Sequence, residues 1–370
     1  MKKNYLSVIL SSFVLGIILI FIFQRLKSPA SSKGKERIKA TQFVQKQLID
    51  SQGLLETYPY LAQTIPYRPD YIREALSESA GLWMQILALT NNQKEFERQV
   101  SSLNRFFLLP DNSLSWRLAI QKEDKVVPDS VSATIDDLRV VRALLEMNQH
   151  KANPAYVQLA KKLADSMKKN AVYQDFLLHK PMSTEERSGG PWIVILSYLD
   201  LNAMEALISV DPQWKPIYEK ALTLLIKGLR SNGFFYDRYD VGKDLYYDEE
   251  KNMINYILCA IYLAERGFSV ETFMGFLTTQ WQKYGRLYGK YDGETLKPLV
   301  DYESIAVYAL TMRLALVMKQ TDFADKIRHR VLKLASEQKN PLWKGALCED
   351  ACHAFDHLQA LLTIIMDNQN

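Results

Sequence analysis

The chain is short of the residue types on which several chemistries depend. Its 370 residues include only three cysteines, Cys259, Cys348 and Cys352. An odd count argues against a disulfide framework. The five histidines are few, and none is flanked by an obvious nucleophile. No Gly-rich phosphate loop ends in Lys-Ser/Thr, no His-Glu-x-x-His pair occurs, and no Gly-x-Ser-x-Gly elbow is present. Net charge is only +4, with much of the basic excess near the N-terminus, too weak and too local for a nucleic-acid binder. Cys348-x3-Cys352-His353-x3-His357 has metal-ligand residue types. It is crowded, however, and lies in a helical pattern, whereas structural zinc sites draw ligands from separated knuckles. We therefore expect no metal and no cofactor, and read these cysteines as small buried helix residues.

Period-two alternation longer than a few residues is also missing, so no major sheet is expected. No fixed repeat of solenoid length occurs. What is present is helical periodicity. It recurs near 37–52, 69–90, 92–107, 134–148, 154–170, 190–208, 213–230, 252–266, 270–283, 302–318, 320–337 and 351–367. Pro154 and Pro212 stand near helix starts, where a missing N–H is harmless. Asn232-Gly233 and Arg266-Gly267 stand just past helix ends. Twelve helices without a repeat fit a closed barrel of six helix pairs, an all-α fold. The connections 173–190 and 231–251 are irregular, and long unequal loops are where a site is built.

The N-terminus reads differently. Residues 6–23 carry no charge and are long enough to cross a bilayer core. Ser28-Pro29-Ala30 is a poor cleavage site, so residues 1–27 read as an uncleaved signal anchor. Residues 28–37 read as a polar tether, and 38–370 as one domain. The lysines and arginines after the span outnumber those before it, which by charge favours a cytoplasmic C-terminal side. The function argued below favours the opposite orientation.

Three acidic places stand out. Glu78 lies in Ala75-Leu76-Ser77-Glu78-Ser79-Ala80-Gly81-Leu82-Trp83-Met84-Gln85, which opens a helix apolar nearly all round. A carboxylate there is paired, protonated or functional, because an isolated buried charge is costly. The plainer reading is a first-turn acid stabilised by the helix dipole. Thr134-Ile135-Asp136-Asp137 precedes a second apolar face, where its acids serve either as caps or as holders of sugar hydroxyls. Phe234-Phe235-Tyr236-Asp237-Arg238-Tyr239-Asp240 and Asp244-Leu245-Tyr246-Tyr247-Asp248-Glu249-Glu250 mix aromatics with acids, as a carbohydrate groove does and as a solvated loop does. Asp248, Glu249 and Glu250 have a ready task at the positive end of the next helix; Asp237 has none. One carboxylate in an apolar setting and one in a wetter loop are what glycosidic-bond hydrolysis needs.

These motifs carry a family resemblance. Ser77-Glu78-Ser79-Ala80-Gly81-Leu82-Trp83-Met84 resembles the Ser-Glu-Gly-x-Gly-Tyr-Gly-Met stretch of glycoside hydrolase family 8, whose Glu is the general acid. Trp116-Arg117, Ala133-Thr134-Ile135-Asp136-Asp137-Leu138, Leu196-Ser197-Tyr198 and Tyr302-Glu303-Ser304 follow in the family's order. Tyr236-Asp237 is similar in placement to the Tyr-Asp carrying the general base, with Tyr247-Asp248 as rival. The Gly after the acid is Ser79 here, and the family's first Asp of the second motif falls on Ile135, its second on Asp137. The resemblance implies an (α/α)6 barrel and inverting endo-hydrolysis of a β-linked polysaccharide. It implies Glu78 as acid and Asp237 as base, with Asp248 and Asp240 as alternatives. Asp136, Asp137, Trp116, Arg117, Tyr198, Tyr236, Tyr247, Asp248 and Tyr302 would bind sugar. Membrane-anchored relatives stand beside exopolysaccharide synthesis machinery, so the implied setting is the outer face of the cell membrane, with synthase machinery as partner. The reading from a different class is a non-catalytic polysaccharide-binding subunit of such a synthase.

Overall fold

The computed structural model describes residues 32–59, 73–339, 344–349 and 352–367. The run 6–23 read as an anchor lies outside the described residues. Among the described residues no helix is long and apolar enough to cross a membrane.

The sequence sorts its helices into two kinds. One kind is buried on most sides: α2 (Ser77–Leu89), α4 (Thr134–His150), α9 (Met253–Ala264), α11 (Ile305–Val317) and α13 (Ala354–Asp367), joined in position by α7 (Leu201–Val210), which is buried at Leu201, Ala203, Met204 and Leu207. In α11 the buried residues run without a break from Ile305 to Ala315. The other kind has one apolar stripe: α1 (Ser32–Phe43), α3 (Gln93–Ser102), α5 (Pro154–Ala171), α8 (Trp214–Gly228), α10 (Glu271–Tyr284) and α12 (Thr321–Glu337). In α12 only Phe323, Ala324, Ile327, Arg328, Val331, Leu334 and Ala335 are buried, a spacing of three and four. A helix apolar all round belongs inside a second layer of helices, and a striped one belongs in that second layer.

The packing follows this division. Helix α2 packs on α4 and α13, α4 on α7, α9 on α11, and α11 on α13. The ring closes between α7 and α9 through the 3₁₀ turn Leu196–Tyr198, which packs on α9. There the Tyr262 hydroxyl donates to the Ser197 carbonyl at 3.2 Å. Outside the ring, α3 covers α2, α5 covers α4, α8 covers α7, α12 covers α11 and α1 covers α13. Helix α10 joins through Phe273 and Phe276, whose rings stand edge-on to Phe234. Inner and outer helices alternate along the chain, so the inner six run the same way and present their N-termini at one end. Among the described residues all twelve helices expected from periodicity are present, joined by one short extra helix, α6 (Thr184–Gly189).

Several boundaries differ from the sequence reading. Helix α1 already runs at Ser32, within the stretch 28–37 read as a tether. The segment 69–90 enters its helix through a strand, β1 (Arg73–Leu76), paired antiparallel with β2 (Arg117–Ile120), which also pairs with β3 (Val126–Pro128). The segment 190–208 is a strand, β6 (Ile193–Ile195), then the 3₁₀ turn, and only then α7. Strand β6 pairs with β7 (Arg238–Asp240), which pairs with β8 (Leu245–Tyr247). A further hairpin joins β4 (Val172–Tyr173) to β5 (Phe176–Leu177). Among the described residues no strand exceeds four residues, too few for alternation to register. The pattern 351–367 becomes helical only at Ala354, so the two cysteines precede it. Cys348 and Cys352 are joined in a disulfide rather than being helix residues, and Cys259 alone is free and buried in α9. His357 is buried and bridges the same loop to α1. Its Nδ1 accepts from the Leu347 amide at 2.8 Å, and its Nε2 lies 3.1 Å from the Ala40 carbonyl oxygen. Burial pushes its pKa down to about 4, so it is a neutral structural histidine.

Candidate active site

A cavity of about 320 Å³ opens over the N-terminal end of the inner ring. Its wall takes Glu78 from α2, Ile135, Asp136 and Arg139 from α4, Ser197 and Tyr198 from the turn before α7, Glu250 and Asn255 around the start of α9, and Phe355 from α13. Free first-turn N–H groups point toward this end of each helix, giving the mouth a positive bias that suits carboxylates.

The short sheets set the first of these residues in place. Pairing of Leu76 with Arg117 brings Trp116 beside Ser77, whose amide donates to the Trp116 carbonyl at 3.1 Å. Trp116 thereby reaches the cavity wall, with the Arg117 guanidinium 4.9 Å from its ring centroid on the far side. Gly81 sets the second relation. A Cβ there would stand 2.9 Å from the Arg139 Cβ, so only glycine lets α2 come this near to α4. One turn back from Gly81, Glu78 meets the guanidinium that this approach delivers.

Arg139 Nη1 donates to Glu78 Oε1 at 3.3 Å and to Asp136 Oδ1 at 2.8 Å. Ser77 Oγ donates to the other Asp136 oxygen at 2.9 Å. Both Asp136 oxygens are thus held, while Glu78 keeps one oxygen uncommitted and its side chain 29% exposed to the cavity. Burial pushes the Glu78 carboxyl up to about 7; Arg139 opposes that shift and the Asp136 charge adds to it. Burial also raises Asp136, again against Arg139. Burial works against the Arg139 cation, but Glu78 and Asp136 outweigh it and hold its pKa above the usual value. The Tyr198 phenol is pushed up to about 12 by burial, with the charge of Asp136 next in effect and those of Glu78 and Glu250 also felt. It is a neutral hydrogen-bonding group at any ordinary pH. Glu78 is thus a half-open carboxyl that holds its proton near neutrality, as a general acid must.

Other residues singled out in the sequence fall elsewhere. Asp137 is buried and structural: it accepts from the Leu114 amide at 3.1 Å and the Ser132 hydroxyl at 2.8 Å. Arg117 faces Asp129 at 3.5 Å. Asp237 does not reach the cavity wall. It is 2% exposed, and its carboxylate accepts from the amides of Glu249 at 3.0 Å, Glu250 at 2.7 Å and Lys251 at 3.2 Å. Those amide bonds oppose the upward shift that burial imposes on it. With its oxygens turned to the backbone, it has no free face for a water. The two rivals are occupied as well. Asp248 pairs with Arg230 and accepts from the Asp237 amide, and Asp240 holds the Lys243 amide and ammonium. Tyr236 lies under the Arg230 guanidinium, 3.9 Å from its ring centroid. Tyr247 pairs with Arg238 in the sheet. Tyr302 is half exposed in a second cavity of about 730 Å³ shared with Ser304 and Asp356, on the other flank of the α13 start.

The sequence reading passed over Glu250 and Arg139. Glu250 was assigned to the helix end, but Asn252 caps α9 by accepting from the Ile254 amide, and this leaves Glu250 outside the helix. Arg139 had a detectable signal: a cation on the buried face of a helix needs carboxylate partners, and three lie nearby in the motifs. Among the described residues, no group of histidine, cysteine and acidic side chains is arranged to hold a metal ion.

No protein-family model matches the chain. A curated protein of Bacillus subtilis (strain 168), "Putative lipoprotein YdaJ", is 26% identical over 332 residues, covering 87% of this chain and 85% of its own. A solved structure described as a novel alpha-amylase from Clostridium perfringens superposes with a TM-score of 0.78 at 24% identity, covering 91% of this chain and 98% of its own. Endoglucanase Cel10 of Klebsiella pneumoniae, a family 8 glycosyl hydrolase, superposes with a TM-score of 0.65 at 13% identity, covering 90% of this chain and all of its own. The chain has the helical barrel fold of the family 8 glycoside hydrolases.

Proposed function

We propose that the protein is an inverting endo-glycosidase that cleaves a β-linked polysaccharide at the outer face of the cell membrane, with Glu78 as general acid. The observation that carries this reading is the Glu78 carboxyl, pushed up to about 7 at the mouth of the inner ring and open to the cavity. Trp116 and Tyr198 supply an aromatic face and a neutral phenol for a sugar ring, and Asp136 and Arg139 supply hydrogen-bonding groups for its hydroxyls. In the reaction Glu78 gives its proton to the glycosidic oxygen while water attacks the anomeric carbon from the opposite side. The endoglucanase neighbour supports a glucan-type substrate, and the alpha-amylase neighbour makes the anomeric linkage the point to test. The lipoprotein description of the Bacillus relative supports membrane attachment. The Cys348–Cys352 disulfide supports the outward orientation against the charge bias, because disulfides persist in oxidising compartments. Work on an exopolysaccharide beside synthase machinery fits that location.

The experiment is release of reducing ends from carboxymethylcellulose, xylan, chitosan and starch by the full chain and its Glu78→Gln variant. Cleavage by the wild type alone supports the reading; starch as sole substrate corrects the linkage; cleavage by both removes Glu78 as the acid. A second reading is favoured by one observation. Arg139 contacts Glu78, and Ile135 stands in the cavity where the family has a carboxylate. A non-catalytic polysaccharide-binding subunit would keep such a cleft. It predicts binding to one of these polymers with no release from any.

A further inference from the structure

The water that attacks the anomeric carbon needs a base on the far side of the sugar from Glu78, and Asp237 does not face the cavity. We propose that Glu250 is that base and that Asp237 is the residue that positions it, an inference that rests on the glycosidase reading above.

Among the described residues three carboxylates line the cavity: Glu78, Asp136 and Glu250. Asp136 lies beside Glu78, on the helix next in the ring, and shares Arg139 with it. Both its oxygens are held. The ring order α2, α4, α7, α9, α11, α13 places α9 opposite α2. Glu250 stands two residues ahead of the α9 cap, so it faces Glu78 across the cavity. An inverting pair needs this opposition, with room for a water, about 6.5–9.5 Å between carboxyls. Glu250 is also the wettest of the three, its side chain 48% exposed. Arg238 holds Oε1 at 3.1 Å, while Oε2 has only a long 3.4 Å contact from the Asn255 side-chain amide nitrogen. That second oxygen is open to a water.

The backbone beneath Glu250 is fixed from inside. Asp237 accepts the amides of Glu249, Glu250 and Lys251, three successive residues centred on the base. Asp237 lies between the buried Phe234-Phe235 pair and strand β7, and both anchor the latch. In the step itself, the water oxygen bonds to the anomeric carbon and one water proton passes to Glu250 Oε2. The glycosidic C–O bond breaks, and the Glu78 proton goes to the leaving oxygen. One water is consumed, and both carboxyls exchange protons with solvent to reset.

The test uses the full chain on whichever of the four polysaccharides the wild type cleaves. Initial rates are read against pH for Glu250→Gln, Glu250→Asp and Asp237→Asn, with the thermal midpoint of each. Glu250→Gln is expected to lose about 10²–10⁴-fold in kcat and the acidic limb of the pH profile, with its midpoint unchanged. Glu250→Asp should keep the acidic limb at reduced rate. Asp237→Asn should lower the midpoint and the rate yet keep the acidic limb. If Glu250→Gln keeps both rate and acidic limb while Asp237→Asn loses them, Asp237 is the base and the proposal is overturned alone. A wild type inactive on all four polymers overturns the glycosidase reading, and Glu250 as base with it.

Discussion

Two acidic regions of the molecule look alike in sequence and behave differently in the fold. At the α2–α4 mouth, Glu78 and Asp136 meet one guanidinium and the open cavity. In the 236–251 segment, Asp237, Asp240 and Asp248 turn their oxygens to backbone amides, Lys243 and Arg230. Only Glu250 there is left facing the cavity. The lesson is that an acid's role follows from where its lone pairs go. In the first region the acids stand in the opening turns of α2 and α4, and side chains, Arg139 and Ser77, take their oxygens. In the second, a tight hairpin ending exposes consecutive amides, and a buried carboxylate satisfies them.

The sharpest break in this comparison is Glu78→Gln. It should cost about 10²–10⁴-fold in kcat while leaving polymer binding in place, measured by reducing-end release and a binding isotherm. Glu78 must hold its proton to act, so the wild-type rate should fall as pH rises through about 7. The same raised pKa carries a stability sign. Its contribution is present below the ordinary carboxylate range and lost as pH rises through about 7, so Glu78→Gln should raise the thermal midpoint most in alkaline buffer. Arg139→Gln tests the shared cation next. It leaves Asp136 buried without its partner, at a cost of about 3–5 kcal/mol by denaturant titration. It also removes the group that lowers the Glu78 pKa, so any remaining activity should have its alkaline limb shifted upward. On the other side of the comparison, Asp237→Asn should cost about 3 kcal/mol, because an amide nitrogen then faces backbone donors. A smaller effect is expected from Cys348→Ser, about 2 kcal/mol from the entropy of a very short loop. Labelling by a thiol reagent only after reduction would check the bond itself.

Much of the barrel was legible because burial writes itself into residue type. Helices such as Met253–Ala264 are apolar on every side, and helices such as Thr321–Glu337 on one. Glu78 was legible for the same reason, as a lone acid in such a run. The rest depended on contacts between distant residues. The amides that occupy Asp237 lie twelve to fourteen residues on, and no local pattern announces them. Asp136 and Asp137 are adjacent, yet a step of about 100° around α4 sends one to the cavity and the other to the Leu114 amide. The disulfide was hidden by the third cysteine: Cys259 makes the count odd, although it is shut inside α9.

The shared direction of the inner helices has a consequence for how this protein can change. Each inner helix offers its opening turn to the same end of the molecule, and residues from the opening turns of α2, α4, α9 and α13 line the cavity there. Replacing Ile135 or Phe355 edits what the cleft recognises while the helices below keep their neighbours. The barrel is a socket with separate pins, and substrate preference can be rewired one pin at a time.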